Sequence, residues 1–177
     1  QELQYRVGPT YKSGEPLGIY SYEINYPQVG RYWSANNIRY KIVKKTDTER
    51  EVVAMNLSYA KDSDKNKVKK VVIPNTVALA GKTYRVVGVN KNAFKGLKNL
   101  TTVTIGKNVR NIGAKAFYGC KKLKTVKIQT KKCTFSGKSI WKKTSKKLVV
   151  KVPKSALKKM RKQLKKSGLK AKAVKAA

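Results

Sequence analysis

The sequence repeats itself with a period of 23 residues, and this repeat restricts the possible folds more than any other feature. The segment NAFKGLKNL at 92–100 recurs as KAFYGCKKL at 115–123, so Phe94 and Phe117 take equivalent positions. A degenerate third copy places Trp141 at the same position. One such unit is too short to bury its own apolar face, but stacked units share a continuous core. The repeat therefore predicts a solenoid.

Short runs of alternating residues lie between the copies and predict strands. In each run Val or Ile occupies every second position, which is the pattern of a strand with one buried face. We expect these side chains to point into the core, and the Thr, Lys and Val side chains between them to point to solvent. Glycines are expected at the corners where the chain turns. The runs are 70–73, 102–105, 125–128 and 149–152, and the corner glycines are Gly106, Gly113, Gly119 and Gly137.

The chain before the repeats does not share this pattern. Residues 1–36 are rich in tyrosine, and the alternation within 20–26 predicts a strand. Exposed tyrosines of this kind bind sugars or protein partners, but tyrosines that alternate along a strand more often pack against a core. Residues 37–69 predict two strands, 38–43 and 52–57, which we expect to pair with the first repeat and to cover its end.

The residues after the repeats, 153–177, predict a helix followed by a basic tail. The apolar residues within 156–164 fall on one helical face, and lysines occupy the rest of the helix surface. Ser155 is expected to cap the start of this helix, and Gly168 to end it in the left-handed conformation. Such a helix covers the apolar end of a repeat array. A basic amphipathic helix can also lie on a membrane surface, but the narrow apolar stripe without Trp or Phe favours the cap.

The repeat residues resemble a known family. Residues 103–123, which read VTIGKNVRNIGAKAFYGCKKL, are similar to the BspA-type leucine-rich repeat, and especially to its lysine-rich versions in secreted proteins of gut Firmicutes. The resemblance covers about 65–170 and includes a hairpin over 73–84. It implies a fold that is mainly β with a small α part: a short leucine-rich-repeat solenoid over 70–152, with an N-terminal β-hairpin region and a C-terminal capping helix.

The same resemblance implies a function in binding or adhesion, with the protein secreted or displayed on the bacterial cell surface. It carries over no catalytic residues. The sequence itself contains no apolar run of the roughly 18 residues that a membrane-spanning helix needs, so we expect no membrane span.

Positive charge is concentrated after residue 64. The net charge is +35, yet all eight acidic residues lie within residues 1–64. Residues 65–177 contain 34 lysines and arginines and no Asp or Glu, so their side chains cannot form salt bridges with one another. Such cations either face water and repel one another or face a polyanion. A coat of solvated lysines that only keeps the chain in solution is the alternative.

We expect an anionic partner to bind the exposed sheet face and the lysines beside it. The expected partner is a host or bacterial surface macromolecule, either a protein or an anionic glycan such as a wall polymer, bound in a salt-sensitive way. A basic nucleic-acid-binding protein is the alternative. However, arginine is the side chain that contacts guanine and phosphate through two hydrogen bonds, and only three of the 34 cations are arginines. We therefore expect the chain to bind no specific nucleic acid. The candidate ligand-binding residues are Thr102, Thr104, Thr125, Lys127 and Lys151 on the sheet face, with Lys121, Lys122, Lys124, Lys142, Lys143, Lys146 and Lys147 beside it.

The sequence lacks the residues that most enzymes need. It contains no His, and its repeat half contains no carboxylate side chain for acid–base catalysis. We therefore expect no enzymatic activity, no cofactor and no metal site. The short acidic segment 62–64 is followed by lysine, and a solvated turn is favoured over a calcium site. Cys120 and Cys133 have no base beside them in the sequence, and buried structural thiols are favoured over a disulfide.

Overall fold

The computed structural model describes residues 27–58 and 62–177. Within these ranges the chain is mainly β, with one helical turn and one short helix near the C-terminus. The tyrosine-rich strand predicted within 20–26 lies outside the described residues. The strands are β1 (Tyr32–Ala35), β2 (Ile38–Lys45), β3 (Arg50–Leu57), β4 (Lys70–Ile73), β5 (Thr76–Leu79), β6 (Lys82–Val89), β7 (Thr102–Ile105), β8 (Asn111–Ile112), β9 (Thr125–Ile128), β10 (Thr134–Phe135), β11 (Val149–Val152) and β12 (Val174–Ala176), and the helices are α1 (Asp62–Lys65) and α2 (Leu157–Lys166).

The strands form two sheets, and the chain passes alternately from one to the other. The first, here called the mixed sheet, has the order β1-β2-β3-β6-β8-β10, with β5 paired to β6. Its β1–β2, β2–β3 and β5–β6 pairs are antiparallel, whereas β3–β6, β6–β8 and β8–β10 are parallel. The second, here called the repeat sheet, has the order β4-β7-β9-β11-β12 and is parallel throughout. The four predicted runs are the first four strands of the repeat sheet.

The register of the repeat sheet aligns equivalent residues of successive repeats. Val103 of β7 pairs with Val71 of β4 and with Val126 of β9, which in turn pairs with Val150 of β11. Every Val and Ile predicted to point inward is buried. A parallel sheet leaves the same face of each strand against the core, so identical positions stack into continuous apolar rows.

Three aromatic rings from successive repeats stack in the core. The ring centroids of Phe94 and Phe117 are 5.8 Å apart, and those of Phe117 and Trp141 are 5.6 Å apart. In both pairs the ring planes are nearly parallel. All three rings are buried. The backbone also joins adjacent corners, because the Phe94 N–H donates to the Ala116 carbonyl at 2.9 Å. The three residues to which the repeat spacing gives equivalent positions thus stack on one another in the interior.

The strand pair predicted before the repeats and the hairpin predicted over 73–84 are both present. Strands β2 and β3 pair around the turn at 46–48 and extend two residues further into it than the predicted strands 38–43 and 52–57. Strand β3 then pairs with β6, the second strand of the hairpin predicted over 73–84.

The C-terminal helix is present, but its start differs from the prediction. Residues 154–156 form a 3-10 turn, and Ala156 rather than Ser155 precedes α2 without a side-chain cap. Pro153 supplies no N–H, and the chain tightens into the 3-10 turn before the α-helix begins. Gly168 ends the helix with φ of +97°, as predicted. The helix buries Met160 and Leu164 against the core.

Candidate polyanion-binding surface

The exposed face of the repeat sheet brings together the five sheet-face residues predicted from the sequence. In adjacent strands Thr102 pairs with Thr125, and Thr104 pairs with Lys127, which pairs in turn with Lys151. The three threonines are half-buried, and the two lysines are exposed. Neighbouring strands lie about 4.8 Å apart, so these side chains form closely spaced rows across the sheet.

One member of this face was missed by the sequence reasoning. Lys175 of β12 pairs with Lys151 and extends the row to Lys127, Lys151 and Lys175, here called the lysine row. The only sequence signal was a three-residue alternation at 174–176 inside what was predicted to be a basic tail. That segment becomes a strand because β11 offers it a free edge, which local sequence does not reveal. On the opposite side Val72 of β4, which pairs with Thr104, adds an exposed apolar position to the face.

The seven predicted lysines beside the sheet lie in the turns that lead into its strands. Lys121, Lys122 and Lys124 precede β9, and Lys142, Lys143, Lys146 and Lys147 precede β11; all seven are exposed. We call these two groups the corner clusters.

Contacts fix two lysines of the corner clusters. Lys122 Nζ donates to Asn99 Oδ1 of the preceding corner at 2.8 Å. Lys143 Nζ lies 5.5 Å from the ring centroid of Tyr118, and Lys95 Nζ lies 5.8 Å from the same centroid. Because a hydrogen bond from Lys143 and the charges of nearby lysines favour the phenolate, the pKa of Tyr118 lies below its usual value. The shift reports a positive potential at this corner.

Carboxylates are separated from these lysines. In the described part of the chain, the acidic side chains of Asp47, Glu49 and Glu51 belong to the β2–β3 hairpin, and Asp64 belongs to α1. Their ion pairs are with Lys44, Lys67, Arg85 and Arg110. From residue 115 onward, no lysine forms an ion pair with a described side-chain carboxylate. Among the residues that the structure describes, no carboxylate therefore neutralises the lysine row or the corner clusters.

The two cysteines are buried free thiols, as predicted. Burial raises the pKa of Cys120 to about 11 and that of Cys133 to about 12. Neither thiol is ionised at neutral pH, which is unsuitable for a nucleophile. Over residues 27–58 and 62–177, no group of three or more His, Cys, Asp or Glu side chains is arranged to hold a metal ion. In the same ranges no helix is long and apolar enough to cross a membrane.

Residues 63–164 match the family model described as the BspA type leucine rich repeat region, in six copies. The match covers more than half of the chain and contains β4 to β11. No curated protein sequence matches the chain significantly.

Solved structures resemble the chain in fold. A leucine rich cell surface protein from Faecalibacterium prausnitzii A2-165 has a TM-score of 0.50 and 20% identity, over 68% of this chain and 30% of that one. A leucine-rich repeat protein from Bacteroides ovatus ATCC 8483 has a TM-score of 0.45 and 19% identity, over 70% of this chain and 38% of that one. The first likeness shows a shared fold and nothing about function, and the second is too weak to support an argument. The chain spans about a third of the length of each.

Proposed function

Because the chain belongs to the BspA-type leucine-rich repeat family, we propose that it is a binding module of a bacterial protein that is secreted or displayed at the cell surface. The F. prausnitzii protein of similar fold is described as a cell surface protein, which supports this location. The module binds a surface macromolecule and catalyses no reaction. The absence of His from the whole sequence supports a role without acid–base chemistry.

The proposed architecture is a short solenoid. Support comes from the parallel register of the repeat sheet and from the ring stack, which both join one repeat to the next. In this proposal residues 37–69 cover one end of the repeats at 70–152, and residues 153–177 cover the other end. Residues 1–36 are the tyrosine-rich segment outside the repeats, and β1, which lies within this segment, pairs with β2.

The proposed ligand is an anionic polymer on a host or bacterial surface, either a glycan or an acidic protein. The observation on which this depends is the set of exposed lysines in the lysine row and the two corner clusters, none of which pairs with a carboxylate that the structure describes. Clustered cations of one sign create a potential that attracts polyanions and steers them to the surface. Lysine ammonium groups act as point charges, so the proposed binding depends on charge density rather than on sequence or sugar identity.

A salt titration tests the proposal. We expect heparin and a teichoic-acid-like polymer to bind the protein with affinity that falls steeply as salt rises, because binding releases condensed counterions. Changing Lys142, Lys143, Lys146 and Lys147 together to Gln should lower the log–log salt slope by roughly three, at about 0.7–0.9 per neutralised contact. Affinity for both polymers should fall by similar factors.

A matched control changes Lys158, Lys159, Lys162 and Lys166 of α2 to Gln, which removes the same net charge from exposed positions that belong neither to the lysine row nor to the corner clusters. This control should alter the slope by less than half as much. A salt response that is flat for the unmodified protein contradicts polyanion binding and leaves the lysines as a solvated coat. Duplex DNA of defined sequence is included as a third ligand, and a strong preference for one sequence would instead support nucleic-acid recognition.

A further inference from the structure

A groove outside the lysine row and the corner clusters contains the arginine pair of the repeats. It has a volume of about 550 Å³ and opens at the carboxyl ends of β7 and β9. Arg85 and Arg110 line it together with Glu51, which lies in β3. Three exposed lysines also line it: Lys107, Lys131 and Lys132. Five cations therefore surround one lining carboxylate.

Glu51 holds the two arginines in place. Arg85 Nη2 donates to Glu51 Oε1 at 2.9 Å, and Arg110 Nη2 donates to Glu51 Oε2 at 2.6 Å. Glu49 accepts a second hydrogen bond from Arg85 Nη2 at 2.9 Å. The Glu51 side chain is only 10% exposed, whereas those of Arg85 and Arg110 are 46% and 61% exposed. The Glu51 carboxylate is thus buried and fully paired with the two arginines, whereas both guanidinium groups remain accessible to solvent.

Most of the hydrogen-bonding capacity of these arginines is unused. A guanidinium carries five N–H donors, and here each arginine donates to described residues through Nη2 alone. The fork formed by the other nitrogens is the geometry that binds a carboxylate or sulfate through two hydrogen bonds.

The loops that carry the lysines are also fixed. The Lys107 N–H donates to Asn75 Oδ1 at 2.7 Å, and Asn108 Nδ2 donates to the Asn75 carbonyl at 2.9 Å. In the next loop the buried Thr130 hydroxyl donates to the Lys132 carbonyl at 3.0 Å. A fixed backbone lowers the entropy lost when a ligand binds.

We propose that this groove, here called the arginine groove, binds a single oxyanion group of a glycan, a sugar carboxylate or a sugar sulfate. The ligand class rests on the proposed function, but the surface is a different one. The lysine row attracts a long polymer through charge density, whereas the arginine groove recognises one anionic group through directed hydrogen bonds. Its concave shape suits a terminal or branching residue of the glycan.

The test uses short probes that cannot span the lysine row. Binding of a disulfated uronic-acid disaccharide, its unsulfated counterpart and a neutral disaccharide is measured by titration calorimetry at low salt. The Nε–H signals of Arg85 and Arg110 are followed by nuclear magnetic resonance. We expect the charged disaccharides to bind, the neutral one not to bind, and both arginine signals to shift. The sulfated and unsulfated arms distinguish a sulfate from a carboxylate as the preferred group.

Variants separate the two surfaces. Arg110→Ala should weaken disaccharide binding about tenfold or more, as expected for a lost charge-assisted hydrogen bond. Lys131→Gln combined with Lys132→Gln, which leaves the Glu51 network intact, should weaken it about threefold to tenfold. Lys127→Gln combined with Lys151→Gln removes the same charge from the lysine row and should change it less than twofold.

Specific results would overturn the inference. One is the absence of disaccharide binding, and another is the absence of any shift in the arginine signals. The third is a loss of disaccharide affinity in the Lys127 and Lys151 variant that is as large as the loss in the Lys131 and Lys132 variant. Heparin binding measured in parallel keeps the two proposals separate. A flat salt response for heparin with intact disaccharide binding removes the proposed polymer binding and leaves the arginine groove supported.

Discussion

At the scale of single residues, the structure depends on side chains that occupy the same place in successive repeats. Phe94, Phe117 and Trp141 illustrate this, because each ring contacts the equivalent ring of the next repeat. Val86, Val109 and Cys133 share a second equivalent position, and all three side chains are buried. A change at one of these positions therefore affects the repeats on both sides of it.

Truncating the central ring should be costly. Phe117→Ala removes a fully buried ring and its stacking contacts with Phe94 and Trp141. We therefore expect a loss of about 3–5 kcal/mol in the free energy of unfolding, measured by chemical denaturation. Phe135→Ala is the control, because this ring is only half-buried and is tilted at 52° to Trp141. It should cost clearly less, and an equal loss for both variants would contradict the stacked arrangement.

The cysteines should be unreactive in the folded protein. At pH 8 their raised pKa values leave almost no thiolate, so alkylation by iodoacetamide should be at least about a hundredfold slower than in denaturant. The pKa is higher in the folded state than the ordinary value of 9.0. The stabilisation from neutral thiols is thus complete below pH 9 and declines as pH rises toward 11 to 12. Rapid labelling of the native protein at pH 8 would show that the thiols are exposed.

At the scale of secondary-structure elements, the spacing between repeats is set where the backbone of one turn approaches that of the next. A Cβ added to Gly113 would lie 2.4 Å from the Lys91 nitrogen and 2.6 Å from the Asn90 carbonyl carbon. Gly106 is similar, because its Cβ would lie 2.7 Å from the Pro74 backbone. These two corner glycines are needed for close packing of adjacent turns rather than for a left-handed φ.

Gly113→Ala should therefore destabilise the protein more than a change at an open corner. We expect a loss at the upper end of the roughly 1–3 kcal/mol typical of over-packing, measured by thermal and chemical denaturation. The control is Gly96→Asn, where φ is +76° and nothing lies within 4 Å of the added Cβ. Asn tolerates this conformation, so the control should lose less than about 1 kcal/mol. If Gly113→Ala is neutral, the adjacent turns are not in backbone contact.

The elements that could be predicted from the sequence are those whose pattern is repeated. The inward positions of β4, β7, β9 and β11 follow from period-2 alternation, and the ring stack follows from the 23-residue spacing. Elements defined by one distant contact could not be predicted. Strand β12 is too short to be recognised without its partner β11. The start of α2 was predicted one residue too early, because the 3-10 turn at 154–156 has no distinct sequence pattern.

At the scale of the whole molecule, the predicted site and the arginine groove differ in how far each could be predicted from the sequence. The lysine row and corner clusters could be largely predicted, because most of these lysines lie within or just before the period-2 runs 125–128 and 149–152. The arginine groove combines residues from separate parts of the chain, and Glu51 lies 59 residues before Arg110. Strand β3, which lies outside the repeats, pairs there with β6, and no local sequence pattern predicts that pairing.

The order of the strands also fixes how charge is distributed along the molecule. Carboxylates of the described residues lie in the β2–β3 hairpin and in α1, which precede β4 in the chain, while lysines without a described carboxylate partner continue to the last strand of the repeat sheet. The field of a uniformly anionic surface exerts a torque on this uneven charge distribution. The torque turns the β11 and β12 end toward the surface and the β4 end away from it. The protein would thus reach such a surface already aligned, before any side chain touches it.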